Sequence, residues 1–589
     1  MNRLLIISFI LFSVSWARAD YHYVSHTGSD IYPYTSWATA ADSVQPAINA
    51  ASPGDTVYVG AGVWEDAPYT LWADLALIGR GIDSTTIRHS YTPSRLRFIT
   101  TQSRVHIEGL TFDGVNRIYN NCAIEAVYHA TDIDVFDNEF VNLNTGILFG
   151  GNSGQVVNNK FLDSQGPIDG TFSPCSLLVE NNTFVGNTDD GIVAYDGDWF
   201  IQNNLFHHNP DASLVLLVVN VAWLGDTAYV ANNFIYHNYE DEDWAGKDVI
   251  NCGERAYLEN NTIVEGPWPI RHVGVLITSS DSLLDLKNNI IANFSVAVRP
   301  EYTYTVARLA YNDLWANTQD AWGPGRIEYH EGNIHADPMF ADTTDFHLQA
   351  YSPCIDAGDP NIIDVDGTRS DIGVFGGPDG SSYVYQDLPP LTPDSIAYRI
   401  WNDTIYLDWR DNYEADFAGY QLHREIFSGF TPSPANLIAE PEGSSFADGN
   451  VIEGQTYYYR MASLDNQGNL SEYSPEMAVM ATGVLEGAVI PRMTVIVGNY
   501  PNPFNQQTII SYHLADVGYQ PAEVKLTICD IGGRLIKTLV NQRQHPGDYR
   551  ISWDGRDEGG EAVSSGVYFS RLIVSDLELS RPRKITLLR

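Results

Sequence analysis

The chain has 589 residues, 33 of them Lys or Arg and 74 Asp or Glu, for a formal net charge of −41. Apolar residues make up 44% and charged residues 18%, the balance of a core-forming chain and not of a disordered acidic one. Such acidity excludes nucleic acid and anionic membrane as partners, since both need a basic footprint, and leaves divalent cations and neutral or cationic glycans open.

The length predicts three or four domains, and an aromatic content of 12%, with 34 Tyr and 13 Trp, favours β-rich, sugar-contacting surfaces. Residues 1–19 read as a secretory signal peptide: Arg3 supplies a basic start, Leu4 to Trp16 an apolar or small run, and Ala17-Arg18-Ala19 a small-x-small cleavage site. Such a run is too short to span a bilayer, and no later one is long enough, so the mature chain is expected to begin near Asp20 without a transmembrane segment. Cys122, Cys175, Cys252, Cys354 and Cys529 are scattered and odd in number, with no C-x-x-C pair; they are expected as buried thiols, with one or two bridges as the alternative.

From residue 20 to 387 a repeat dominates. Val157-Asn158-Asn159-Lys160-Phe161, Val179-Glu180-Asn181-Asn182-Thr183-Phe184 and Leu258-Glu259-Asn260-Asn261-Thr262-Ile263 share one pattern, and the second Asn or its equivalent recurs at 138, 159, 182, 204, 233, 261 and 289. Those intervals of 21 to 29 residues, with alternating β-branched and aromatic side chains, are one turn of a parallel β-solenoid. The repeated Asn is expected to accept a left-handed bend and to bond its counterpart one rung away, about 4.8 Å distant. The longer intervals from 204 to 289 predict loops projecting on one face.

These residues resemble the right-handed parallel β-helix proteins of the pectin-lyase-like superfamily. Two flanks carry the same likeness: Ser36-Trp37-Ala38-Thr39 through Ile48-Asn49-Ala50-Ala51 is similar to the N-terminal cap helix and first strand, and Ser352-Pro353-Cys354-Ile355-Asp356-Ala357-Gly358-Asp359 to the closing segment of exported bacterial members. The resemblance implies a capped solenoid and no single chemistry, because the superfamily mixes lyases, hydrolases and non-enzymes.

The proline-rich hinge Leu388-Pro389-Pro390-Leu391-Thr392-Pro393 opens a module over 388–483. Its short alternating strands, Trp409 and the tyrosine-corner residue Tyr457 resemble a fibronectin type III sandwich, whose default role is that of a spacer. After a linker at 484–492, residues 493–589 begin with Asn499-Tyr500-Pro501-Asn502-Pro503-Phe504-Asn505 and end with Arg583-Lys584-Ile585-Thr586-Leu587-Leu588-Arg589. They resemble the C-terminal sorting domains of the bacterial type IX secretion pathway, related in fold to the Ig-like domain of flagellar hook-capping proteins. That likeness implies secretion machinery as a partner, an extracellular or outer-surface location, and anchoring or release after cleavage. The expected fold class is therefore all-β: a right-handed parallel β-helix followed by two β-sandwich domains.

Counting seven to ten residues on from the repeated Asn gives Asp169, Asp189 and Asp190, Asp211 and the run Glu240-Asp241-Glu242-Asp243, then Arg271. Stacked rungs would gather Asp189, Asp190, Asp211 and Asp241 as candidate catalytic acids beside Trp244, Trp268 and Arg271 as candidate sugar contacts. Paired carboxylates serve glycosidases, and acids with Ca²⁺ and a basic proton acceptor serve lyases. The competing reading makes Asp190 an ordinary bend residue, since Asp190-Gly191-Ile192 sits where Thr145-Gly146-Ile147 does. Asp364, Asp366 and Asp371 are spaced as in Ca²⁺ loops but lack the twelve-residue ligand set; an Asx turn closing the solenoid is the alternative.

Two classes of function remain: a non-catalytic surface or adhesive module that binds polysaccharide or cell-surface glycan, and a secreted polysaccharide lyase or hydrolase. Residues 490–589 hold 12 basic and 10 acidic side chains, whereas 20–489 hold 19 and 64. The acidity thus belongs to the expected cargo and not to its address.

Overall fold

Alternation at a period of two places Val135, Val156, Val179, Ile201, Val230, Leu258, Leu286 and Leu309 on the inner face of successive strands, each paired in parallel with the next. The computed structural model describes residues 19–587 apart from 66, 89–95, 102, 116–120, 128–131, 152, 171–175, 196, 210–213, 221–226, 237–247, 254, 266–272, 279–281, 343–344, 402–403, 482–494, 501–506, 515–521, 531–532, 546, 561, 575–576 and 579–582. Among the described residues three parallel sheets of 13, 11 and 10 strands run the length of a β-solenoid. Each complete coil between the ends gives one strand to each sheet, so sequence neighbours there lie in different sheets and hydrogen bonds run from coil to coil.

The short helix Val44–Ala50 buries Val44, Ala47 and Ile48 against the first coil and caps the end of the stack. Pro46 is tolerated there because the amide hydrogens of a first helical turn have no intrahelical acceptor. Inside the solenoid Phe112, Phe140, Phe161, Phe184 and Phe206 form a column with centroids 5.2, 4.7, 4.9 and 4.3 Å apart, continued in register by Ile235, Ile263 and Ile291. Each of these phenylalanines is fully buried, worth about 1.5–3 kcal/mol of transfer free energy.

The repeat expected of one asparagine divides between two. The first residue of each pair takes the left-handed bend: Asp137, Asn158, Asn181, Asn203, Asn232, Asn260 and Asn288 have φ of 54, 59, 56, 56, 50, 54 and 55°. The second turns inward and builds a ladder. Asn138, Asn159, Asn182, Asn204, Asn233, Asn261, Asn289 and Asn312 each donate Nδ2 to Oδ1 of the next, ending at Asn333, over 2.9–3.2 Å. Each Oδ1 also accepts the backbone N–H of the preceding rung, as Asn204 does from Asn182 at 2.9 Å. A second row, Ser164, Asn187 and Asn209, does the same at the next corner.

The segment after residue 336 folds back along the outside. Phe346, Leu348, Cys354 and Ile372 bury Val264, Ile290 and Ala292 of the ten-stranded sheet, and Asp359 pairs with Lys287 at 2.9 Å. Cys122, Cys252, Cys354 and Cys529 are buried free thiols; Cys175 lies outside the described residues.

Beyond the solenoid, antiparallel pairing takes over among the described residues. Leu437–Ala439, Phe417–Glu425, Thr456–Asp465 and Met477–Met480 make one sheet, and Ala397–Trp401, Thr404–Asp408 and Ser445–Asp448 another. In the C-terminal region Val495–Tyr500, Thr508–Leu514 and Gly547–Trp553 form one sheet, and Leu535–Gln544, Ala522–Asp530, Gly566–Val574 and Leu577–Glu578 a second, with Arg583–Leu587 also paired to Gly566–Val574. They share a core of Ile510, Tyr512, Leu526, Ile528, Trp553, Leu572 and Ile585.

The division of labour gives opposite tolerances. Asn204→Gly leaves the Asn182 backbone N–H without its acceptor and removes one donor from each of the carbonyls of Val179 and Gln202, the buried orphan N–H alone costing about 1–3 kcal/mol. Asn203→Gly keeps the bend that glycine adopts freely. Thermal unfolding followed by circular dichroism should show a midpoint lowered by several degrees for Asn204→Gly and nearly unchanged for Asn203→Gly.

Candidate functional site

Of the acids expected on one strip, Asp189 and Asp190 lie at the bend before Ile192–Tyr195, the first exposed and the second half-buried. Ile147 pairs with Ile168 and Ile168 with Ile192, so Asp190 occupies the corner position that Thr145 and Gly166 hold on the two preceding coils. Asp169 stands further along and pairs with Val193. Ser164 stacks on Asn187 but Ile168 on Ile192, so the coil gains one residue after Asn187 and equal offsets from the ladder are not equal heights on the face. Asp211, Asp241, Trp244, Trp268 and Arg271 lie outside the described residues.

The second acidic group is tied into the closing segment. Asp364 accepts the N–H of Asp371 at 2.9 Å, Asp366 closes a turn on the N–H and hydroxyl of Thr368 at 2.9 and 2.8 Å, and Asp371 accepts the Asp356 N–H at 2.8 Å and the Tyr385 hydroxyl at 2.7 Å. Among the described residues no group of three or more His, Cys, Asp or Glu is arranged to hold a metal ion. These carboxylates serve as acceptors for the turn and the tether.

Burial dominates the electrostatics of this end. Asp313 is enclosed by the last coils and the closing segment, accepting the Ala336 N–H at 3.2 Å and the Cys354 thiol at 3.3 Å, and desolvation pushes its carboxyl up to about 8. Asp371 and Asp337 are raised to about 6 by the same cause.

The opposite end carries a face that the sequence reading passed over. In Tyr21–Val24, His22 turns inward to bond Asp55 at 3.2 Å and the Pro33 carbonyl at 2.7 Å, so Tyr21 and Tyr23 turn outward beside Tyr58 of the next strand. Ring centroids are 5.8 Å apart for Tyr21–Tyr58, 5.7 Å for Tyr23–Tyr58 and 4.7 Å for Tyr23–Trp37. Tyr21 is 49% exposed and Trp37 37%. The Arg80 guanidinium lies over the Trp37 ring at 4.5 Å, a cation–π contact that fixes the side chain.

Arg80 also lines a groove of about 620 Å³ at the corner between the 13- and 10-stranded sheets, with Gly79, Glu108, Asp137, Asn158 and Lys160 among the other walls. Neither the Arg80 guanidinium nor the Lys160 ammonium makes an ion pair among the described residues, whereas Glu108 is engaged by His106 at 2.8 Å. Aromatic rings and two available cations thus meet at one end of an otherwise strongly acidic chain. The signal was present in Tyr21, Tyr23 and Tyr58, whose period-two spacing marks one outer face.

Residues 98–296 match the family model of the right-handed β-helix region, and residues 517–572 that of the FlgD Ig-like domain. The first describes the solenoid and fixes its hand; the second falls within the antiparallel C-terminal sheets. Among solved structures the chain is similar to pectate lyase Pel9A, at 16% identity over 62% of this chain and 98% of that one with a TM-score of 0.31. It is similar to the mannuronan C-5 epimerase AlgE6 A-module of Azotobacter vinelandii, at 15% identity over 50% and 94% with a TM-score of 0.28. It is also similar to a Fn3-like protein from Clostridium thermocellum, at 22% identity over 17% and 99% with a TM-score of 0.15. No curated protein matches the sequence.

A carboxyl whose folded value is raised to about 8, against 3.8 unfolded, favours folding fully at acidic pH and loses that contribution as pH climbs from about 4 through 8. The last coils and closing segment should therefore be more stable at pH 5 than at pH 8.5. Asp313→Asn, which keeps the shape and an acceptor for Ala336, should flatten that dependence in thermal melts recorded across this range and raise the midpoint at pH 8.5.

Proposed function

We propose that this is an exported surface protein whose β-helix binds polysaccharide at the N-terminal end of the 13-stranded sheet. The observation that carries the reading is the set Tyr21, Tyr23, Trp37 and Tyr58 with Arg80 stacked on Trp37. Sugar rings pack their C–H faces on exposed aromatic rings, and the cations of Arg80 and Lys160, which make no ion pair among the described residues, bond hydroxyl and carboxylate oxygens in the adjoining groove. The fold supports this reading by offering a long, rigid face on which a linear polymer meets several coils.

In the same proposal residues 1–19 are a cleaved signal, 20–387 the binding solenoid, 388–483 a fibronectin type III-like spacer, and 493–589 a sorting domain read by the type IX secretion machinery. The neutral charge balance of the last hundred residues against the acidic remainder supports their separate role as an address. Deleting 493–589 should leave the protein inside the outer membrane, as read by immunoblots of fractionated cells and medium.

Incubating the secreted protein with insoluble or gel-embedded polysaccharides should give retention without new reducing or unsaturated ends. Trp37→Ala should weaken retention roughly 3- to 10-fold, the scale of an aromatic contact of about 0.5–1.5 kcal/mol, while leaving the circular dichroism spectrum unchanged. Polymer cleavage would assign a lyase or hydrolase in place of a binder. Retention unaffected by Trp37→Ala would move the binding face elsewhere.

A further inference from the structure

The first strand of the 13-stranded sheet, Tyr21–Val24, pairs along one side with Thr56–Val59. On its other side it is held by a few bonds to a loop, among them Tyr23 N–H to the Tyr34 carbonyl at 2.8 Å and Ala41 N–H to the Tyr23 carbonyl at 2.9 Å. A four-residue strand at the end of a stack has few contacts to keep it in place. Beneath its start lies a carboxylate.

Asp55 is only 7% exposed. Its Oδ2 accepts the Ser52 N–H at 2.7 Å and faces His22 Nε2 at 3.2 Å, and its Oδ1 accepts the backbone N–H of Asp20 at 2.9 Å. That N–H is the one hydrogen-bond partner of Oδ1 among the described residues, and no Lys or Arg pairs with Asp55 there. Burial opposes charge on this carboxyl, yet the Ser52 and Asp20 N–H groups and His22 hold it below the ordinary Asp value, so it is ionised at neutral pH. A buried carboxylate calls for a full counter-charge, and a peptide N–H brings only a partial one.

The sequence places that charge at the same atom. Ala17-Arg18-Ala19 ends the leader at the residue before Asp20. We propose that cleavage between Ala19 and Asp20 creates an α-ammonium that anchors the first strand by pairing with Asp55. The inference rests on the reading of residues 1–19 as a cleaved signal, and adds the position of the cut and its effect on the fold.

A signal peptidase adds water across the peptide bond. The hydroxyl passes to the Ala19 carbonyl carbon, which departs as the carboxylate end of the leader, and the Asp20 nitrogen takes up protons to become an ammonium at neutral pH. The nitrogen already stands against Asp55 Oδ1, so a neutral hydrogen bond becomes a charge-assisted one without movement of the chain. A cut after Ala17 would leave Arg18 and Ala19 in front and the Asp20 nitrogen an amide. Tyr21 and Tyr23 ride on the anchored strand, so the same event tightens two rings of the proposed glycan face.

Amino-terminal sequencing of the secreted protein should read Asp20-Tyr21-His22-Tyr23. The anchor is then measured on the mature chain in three forms: with a free amine at Asp20, with that amine acetylated, and with Ala19 retained in front of it. Acetylation restores the neutral amide of the precursor, and the extra alanine moves the ammonium one residue away. In both, hydrogen–deuterium exchange at residues 21–24 should run about tenfold faster than in the free-amine form, the scale of a charge-assisted bond replaced by a neutral one. Asp55→Asn should remove most of the difference between the three forms. A start at any residue other than Asp20 overturns the cut and the anchor together, and retention of residues 1–19 on the secreted protein overturns the signal reading as well. A start at Asp20 with equal exchange in all three forms, or an acetylation effect that Asp55→Asn leaves unchanged, overturns the anchor and leaves the signal reading intact.

Discussion

The solenoid depends on a hydrogen-bond row one residue wide. Each buried Asn from 138 to 312 gives one amide hydrogen to the next rung and another to a backbone carbonyl of a preceding coil, and each accepts a neighbouring N–H. A tight corner strips its backbone groups of sheet partners, and buried groups without partners are costly. A carboxamide answers both needs because it donates and accepts at a spacing that matches stacked coils. Aspartate would bring charge into the interior and serine would not reach as far, which is why the row is so uniform where the corner is tight.

That uniformity made the fold legible in the sequence. Repeated Asn-Asn pairs at 158–159, 181–182, 203–204, 232–233, 260–261 and 288–289 announce the coil length, and alternation within each coil announces the inner face. The pair conceals a division that a single repeated letter does not express. The first Asn is chosen for its backbone and the second for its side chain, and only φ values near 50–60° for one and hydrogen bonds for the other separate the two roles.

The site was less legible, for a geometrical reason. Residues at equal distance from a repeat marker share a height only while coils keep the same length between marker and sheet, and one extra residue lies between Asn187 and Ile192; Asp169 and Asp190, already at different distances from their markers, stand in different rows, with Asp169 opposite Val193. Asp364, Asp366 and Asp371 show the same limit in another form. Their spacing suits a cation, but backbone amides and Tyr385 take up the carboxylates. The N-terminal aromatic face was readable in principle from Tyr21, Tyr23 and Tyr58, yet it joins Trp37 and Arg80 from separate segments, and that juxtaposition exists only once the first coils stack.

Because every rung of the asparagine row ends in the same donor and begins with the same acceptor, the row contains no unique link. A coil can be duplicated or deleted whole and the ends will rejoin with the bonds they had before. Length is then a heritable variable of this molecule, adjustable in increments of about 4.8 Å, and natural selection can extend its reach without inventing a new contact.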